Sequence, residues 1–140
     1  MKISYILAAL VAMLCLAGFA AATDVTVTGS VSSVLRDVSV TPATISGVIL
    51  TPGTTVAVGT ITVSGTTNGA TITATSDGFV PALGANLKVN DVNFPQTYDA
   101  AFDPDTGSFT KTLVLTQYVS FSDAAYTSRT ATVGVTVTAS

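Results

Sequence analysis

The residues of this chain that could do chemistry gather past its middle. Asp103-Pro104-Asp105-Thr106-Gly107 sets two carboxylates two positions apart, followed by a hydroxyl and a glycine. Asp105-Thr106-Gly107 is the core of the half-site from which aspartic proteases build a carboxylate dyad, and two copies of the chain could pair to make one. That chemistry needs an apolar strand to deliver the triplet into a buried cleft. Here Phe102-Asp103-Pro104 precedes it, so the segment reads as a polar hairpin turn. The spacing Asp103, Asp105, Gly107 also resembles the opening of a calcium loop, where alternate carboxylates face one hard cation and a glycine permits the bend. No acidic residue closes the far end of such a loop, because Phe109 to Thr116 reads as strand, and calcium would need Asp99, Asp123 or a neighbouring subunit. No metal site and no cofactor is therefore assigned, Asp103 and Asp105 being the nearest approach to one. The chain has no His, Trp or Glu. General acid–base chemistry and nucleophile activation would have to run on Asp, Tyr, Lys and hydroxyls alone, which predicts a protein without catalytic activity.

The elements that must position these residues are strands. After Ala22 the chain holds 25 Thr and 18 Val, and such β-branched side chains are best accommodated on a pleated surface. Alternation of period two marks Asp24–Val31, with Val25, Val27 and Val31 on one face, and Thr55–Val63. Further runs are Asp37–Val40, Ile45–Leu50, Ala70–Thr75, Leu87–Val92, Tyr98–Phe102, Phe109–Phe121 and Tyr126–Thr138. Turn residues separate most of them: Thr51-Pro52-Gly53, Thr67-Asn68-Gly69, Ser76-Asp77-Gly78 and Asn93-Phe94-Pro95. The expected fold is an all-β antiparallel sandwich, Ig-like or jelly-roll-like, of about 7–9 strands, with a barrel as the alternative closure. Its expected core is Val25, Val27, Val38, Val40, Ile49, Val56, Val58, Ile61, Val63, Ile72, Leu87, Val89, Leu113, Leu115, Val133, Val135 and Val137.

Met1-Lys2, an uncharged apolar run from Ile3 to Phe19 and an exit at Ala20-Ala21-Ala22 have the form of a secretory signal, giving a domain organisation of residues 1–22 as signal peptide and 23–140 as sandwich. The competing reading is a retained membrane helix; the alanine-rich exit and the lack of a positive cluster after Ala22 favour cleavage. Cys15 would leave with the signal, so no disulfide is expected. The predicted location is extracellular, at the cell surface or outer envelope, with no membrane contact after cleavage. A net charge of -3 and a pI near 4.3 remove the basic footprint of a nucleic-acid binder.

Charge is scarce where strands are expected. Asp24–Val34, Val48–Ser64 and Ala131–Ser140 carry almost none, and sheet edges without Lys, Pro or bulges are templates for another chain. Self-assembly is the expected function, with copies of the chain as partners and Val25, Val27, Val31, Val133, Val135 and Val137 on the strands that meet. Thr23–Ser33 could add to a neighbouring subunit or pair within its own domain. The alternative function is a secreted carbohydrate- or surface-binding module, with Tyr98, Tyr118, Tyr126 and the Phe residues as a stacking platform. Calcium and a glycan are the ligands weighed.

The secretory start, the Thr/Val-rich body without Cys, and the strand types Gly59-Thr-Ile-Thr-Val63 and Gly134-Val-Thr-Val-Thr138 resemble the small major sheath proteins of filamentous methanogenic archaea. That resemblance implies a β-rich subunit stacking through sheet edges into a resistant tubular sheath around the cells. The texture is also similar to that of sandwich-type matrix fibre and bundling pilus subunits, which implies polymerisation by a donated strand.

Overall fold

The computed structural model describes residues 28–140; the segment expected to be a signal peptide, with Cys15, and Val25 and Val27 lie outside the described residues. Met1–Val31 and Ser32–Ser140 are separate units. Of the first, Thr28–Val31 are described and are exposed chain without regular secondary structure.

Ser32–Ser140 is an all-β sandwich, with no helix among the described residues. Its eight strands are β1 (Leu35–Thr41), β2 (Thr54–Thr67), β3 (Ala70–Val80), β4 (Leu87–Val89), β5 (Val92–Asn93), β6 (Gln96–Asp99), β7 (Ser108–Val119) and β8 (Thr130–Ala139). One sheet runs in the order β1-β2-β7-β4-β5 and the other in the order β6-β3-β8, with every pairing antiparallel. The long hairpin-forming strands carry the alternation that one wet and one dry face demand. On β7 the inward positions Phe109, Leu113, Leu115, Gln117 and Val119 are buried, while Thr110, Thr112, Val114 and Tyr118 between them are exposed. Ile61 and Val63 of β2, Val89 of β4, and Ala70, Ile72 and Ala74 of β3 meet them, and Val133, Val135 and Val137 of β8 pack on from the side. Burying a Val, Leu or Ile side chain contributes about 1.5–3 kcal/mol, so this layer holds the sheets face to face without a disulfide.

Three expected core residues are exposed: Val38 and Val40 on β1, and Ile49. β1 is an outer strand: Val38 falls within its register shift between Arg36 and Ser39, and Val40, opposite the buried Val63, shares the core face but stands at the uncovered margin of the sheet. The run Ile45–Leu50 is not a strand. It is irregular chain, and Ile45 seats against Gly59 so closely that a Cβ on that glycine would lie 2.7 Å from the Ile45 Cδ1. The expected strand Leu87–Val92 is a hairpin, β4 and β5, reversed at Asn90 and Asp91, both at positive φ (48° and 64°), as a two-residue turn between right-twisted strands requires. Ser76-Asp77-Gly78 is a bulge inside β3 rather than a turn, since the pairing with β8 continues on either side of it. The core also takes in small and polar residues beyond those expected: Ala70, Ala74, Ala100, Thr67 and Gln117 are all buried.

Candidate functional site

The acidic segment lies in the turn before β7 and is occupied with making it. The Asp103 carboxylate accepts the backbone N–H groups of Asp105 and Thr106, each at 2.9 Å, and the Gly107 N–H donates to the Asp103 carbonyl at 2.7 Å. Those contacts, the Thr106 N–H foremost and then that of Asp105, hold the Asp103 carboxyl below the ordinary carboxylate range. Gly107 sits at φ 73° with the Thr67 carbonyl 3.0 Å from where a Cβ would be, so this turn needs its glycine. Asp105 is exposed and belongs to the same turn. No group of three or more His, Cys, Asp or Glu residues is arranged to hold a metal ion among the described residues. Asp99 ends β6, and Asp123 is used elsewhere, accepting the Gly84 N–H and the Ser120 N–H, each at 2.7 Å.

The aromatic residues do not form one platform. Tyr98 of β6 points inward beside the Lys111 ammonium, 4.7 Å from the ring centroid, and Phe109 is in the core. Tyr126 stacks on the Arg129 guanidinium at 4.6 Å, and Tyr118 stands on the outer face of the five-stranded sheet.

The sheet edges differ more than any other feature. A sandwich of two open sheets has four, here β1, β5, β6 and β8. β1 carries Arg36 and Asp37 within its register shift, with Asp37 at φ 53°. β5 is two residues long and follows Asp91; β6 is four residues long, begins after Pro95 and ends on Asp99. Charge, bulging, proline and brevity are the devices that discourage edge-to-edge pairing. β8 has none of them: Thr-Ala-Thr-Val-Gly-Val-Thr-Val-Thr-Ala is ten residues long, without charge or proline, and the extra residue of the β3–β8 bulge belongs to β3.

Which backbone groups β8 leaves open follows from one hydrogen bond. The Ser140 N–H donates to the Gly69 carbonyl at 2.9 Å, so Ser140 faces β3. In an antiparallel ladder the residues that face the partner alternate with those that face away. Thr138, Thr136 and Gly134 therefore face β3, while Val137, Val135 and Val133 turn their N–H and C=O groups to the open side. The carbonyl of Gly134 accepts the Thr75 hydroxyl, and that of Thr132 accepts the Ser76 hydroxyl at 2.7 Å, as the same alternation demands. The side chains of these three Val residues are half-buried in the core. Their side chains hold the strand down, and among the described residues no strand pairs with the open side of their backbone.

Of the other residues expected on assembly strands, Val31 is 88% exposed and lies in no strand, because no neighbouring strand within the described residues pairs with it. The chain just after it is fastened. The Asn68 side chain accepts the Val34 N–H at 2.7 Å and donates to the Ser32 carbonyl at 2.8 Å, and the buried Thr67 hydroxyl donates to the Val34 carbonyl. The fold and its edges thus define an all-β sandwich that has, among the described residues, three protected margins and one unpaired. Compared with known protein families, curated proteins and solved structures, the chain matches none.

Proposed function

We propose that this chain is a secreted structural subunit that assembles, through the β8 edge, into an extracellular polymer of the sheath, surface-layer or fibre kind. The observation that carries the reading is the contrast among the four edges. Three bear recognised deterrents to strand addition, and the longest bears none. A bare edge of this length, about 33 Å at 3.3 Å per residue, is a template for a further strand.

The geometry of closure says what that strand should be. Two β8 edges pairing antiparallel with each other make a two-fold contact that is complete at the dimer. A polymer needs β8 to take a different segment of the neighbour. Thr28–Val31 has no strand partner among the described residues and leads directly from the anchored Ser32–Val34, so Thr23–Ser33 of the next copy is the proposed partner. Addition of that segment would satisfy the open N–H and C=O groups of Val133, Val135 and Val137.

Sedimentation and electron microscopy of the purified chain beginning at Thr23 test this. Regular polymers are expected, and a chain beginning at Ser32 is expected to stop at monomers or dimers. A full-length sample that stays monomeric at high concentration would overturn the proposal.

A further inference from the structure

The outer face of the five-stranded sheet carries a second feature, independent of the β8 edge. Alternation on β7 sends Thr116 and Tyr118 outward, on either side of the buried Gln117. Register then sets Thr55 of β2 opposite Tyr118, Lys88 of β4 opposite Thr116, and Asn93 of β5 opposite Lys88. With Asn86 and Asp91 these side chains line a groove of about 520 Å³, within the size range of small-ligand sites.

Both rims of this groove are fastened by side chains from elsewhere in the chain. One rim is the loop after β3. The Arg129 guanidinium donates to the carbonyls of Pro81 and Ala82, and to that of Ala124 at 2.5 Å. Asp123 accepts the Gly84 N–H, and Gln117, itself only 1% exposed, donates from Nε2 to the Ala85 carbonyl at 2.9 Å. The other rim is the β4–β5 turn, where Asn90 accepts the Val114 N–H at 2.9 Å and donates its own N–H to the Val114 carbonyl at 2.8 Å. Exposed connections are ordinarily the most mobile parts of a fold. Holding two of them on either side of one groove is the arrangement that lowers the entropic cost of binding there.

The chemistry of the lining selects the ligand. Tyr118, 47% exposed, offers an apolar ring face. The side-chain amides of Asn86 and Asn93 each present a donor and an acceptor and bond to no other protein group among the described residues. Lys88 and Asp91 offset each other in charge. A strongly anionic or cationic ligand would therefore meet a like charge, and an apolar one would find a single ring. An extended peptide laid along this face would find no free backbone in β7 or β4, which are paired on both sides, and only the two residues of β5 at the margin. We propose that the groove binds a neutral, hydroxyl-rich saccharide chain, stacking a pyranose ring on Tyr118 and hydrogen-bonding its hydroxyls to Asn86, Asn93 and Thr116. The site lies on the sheet that does not contain β8, so binding does not depend on polymerisation, and a polymer would display the groove many times.

Calorimetric titration of the whole chain with cellohexaose and with chitohexaose, and with polygalacturonate as a charged comparator, tests the site. At least one neutral hexasaccharide is expected to bind and polygalacturonate is not. Tyr118→Ala should weaken binding by more than ~10-fold, as loss of a central aromatic anchor does. Phe102→Ala, which removes an exposed ring near the opposite end of β7, should leave it unchanged. Asp123→Ala, which releases the Gly84 backbone at the rim and alters no side chain of the lining, should weaken binding with circular dichroism unaltered. Absence of heat with both neutral sugars, binding by Tyr118→Ala equal to that of the parent, or equal binding of polygalacturonate would each overturn the proposal.

Discussion

Proline placed at adjacent positions of β8 separates the edge proposed to build a polymer from the ladder that builds the subunit. Val135 turns its N–H to the open side and Thr136 turns its own toward Thr73 of β3. Proline removes a backbone donor wherever it stands, so the two substitutions delete bonds of different kinds. Thr136→Pro loses a β3–β8 ladder bond, worth about 0.5–1.5 kcal/mol, and orphans the facing carbonyl at a further cost of about 1–3 kcal/mol. A loss of roughly 2–4 kcal/mol should lower the Tm of a domain this size by on the order of 10–20 °C. Val135→Pro breaks no bond within the subunit, and its cost there is part of one half-buried side chain, about 1 kcal/mol. In the polymer it removes a donor to the added strand and leaves that strand's carbonyl unsatisfied, so the critical concentration should rise about 5- to 150-fold for 1–3 kcal/mol. Thermal unfolding followed by circular dichroism, with sedimentation of the same samples, reads both quantities. Greater destabilisation by Val135→Pro than by Thr136→Pro would show that the outward and inward positions are reversed. Unchanged polymerisation of Val135→Pro would show that β8 is not the edge used.

Other consequences are open to measurement. Asp103 and Asp123 have carboxyls held low by backbone N–H groups, of Thr106 and Gly84 foremost; a lowered folded value contributes stability that is present above the ordinary carboxylate range and lost as pH falls through the folded value. Denaturant midpoints should therefore be flat near neutrality and decline below about pH 4, and Asp123→Asn should make that decline shallower. Ile72→Ala, at a fully buried position, should cost about 2–5 kcal/mol in equilibrium unfolding. Arg129→Lys keeps the charge but not the planar fork that reaches the carbonyls of Pro81, Ala82 and Ala124, so hydrogen exchange should quicken in 81–86 and 124–129 while the core strands stay protected. Polymerisation should change little between low and high salt, because β8 has no charge to screen; a steep salt dependence would locate the contact on a charged face instead.

The sandwich was legible because its signal is local. Alternating Val and Thr in β2, β7 and β8 settle which side of each strand is dry, and Pro-Gly, Asn-Gly and Asp-Thr-Gly mark three of the reversals. The departures come where tertiary context overrides local preference. Ile45–Leu50 has strand composition but no neighbour to pair with, so it half-buries Ile45, Val48 and Leu50, with Ile45 on the main core, and stays irregular. Gln117 reads as a wet position and is buried, because its amide meets the carbonyls of Ala85 and Tyr118 at 2.9 and 2.7 Å. The choice of edge strand was only partly legible. Lack of charge singled out Val133, Val135 and Val137, but that β8 is a margin at all depends on pairings among residues far apart in the chain. The groove at Tyr118 escaped notice for the same reason: Lys88, Asn93 and Tyr118 become neighbours only through β4–β7 and β4–β5 register.

The high Thr content acquires a physical role once the outer faces are laid out. On the three-stranded sheet Thr97, Thr73 and Thr136 stand in one cross-strand row, and Asp99, Thr71 and Thr138 in the next. On the other sheet Thr62 faces Thr112 and Ser64 faces Thr110. Threonine satisfies two demands at once, since its branched Cβ suits a pleated surface and its hydroxyl keeps that surface wet. Lysine or glutamate in those rows would meet the second demand equally well, but would surround every edge with charge and repel a like copy. A surface wetted by hydroxyls instead leaves little charge on these rows to oppose the approach of an identical subunit, so local features decide which margin is protected. Arg36 and Asp37 in the β1 bulge, Asp91 beside β5, and Pro95 and Asp99 at either end of β6 supply those features at three margins. On the proposed assembly, approach would thereby be directed to the fourth margin, where the Val side chains are committed to the core and no described strand pairs with the backbone they share.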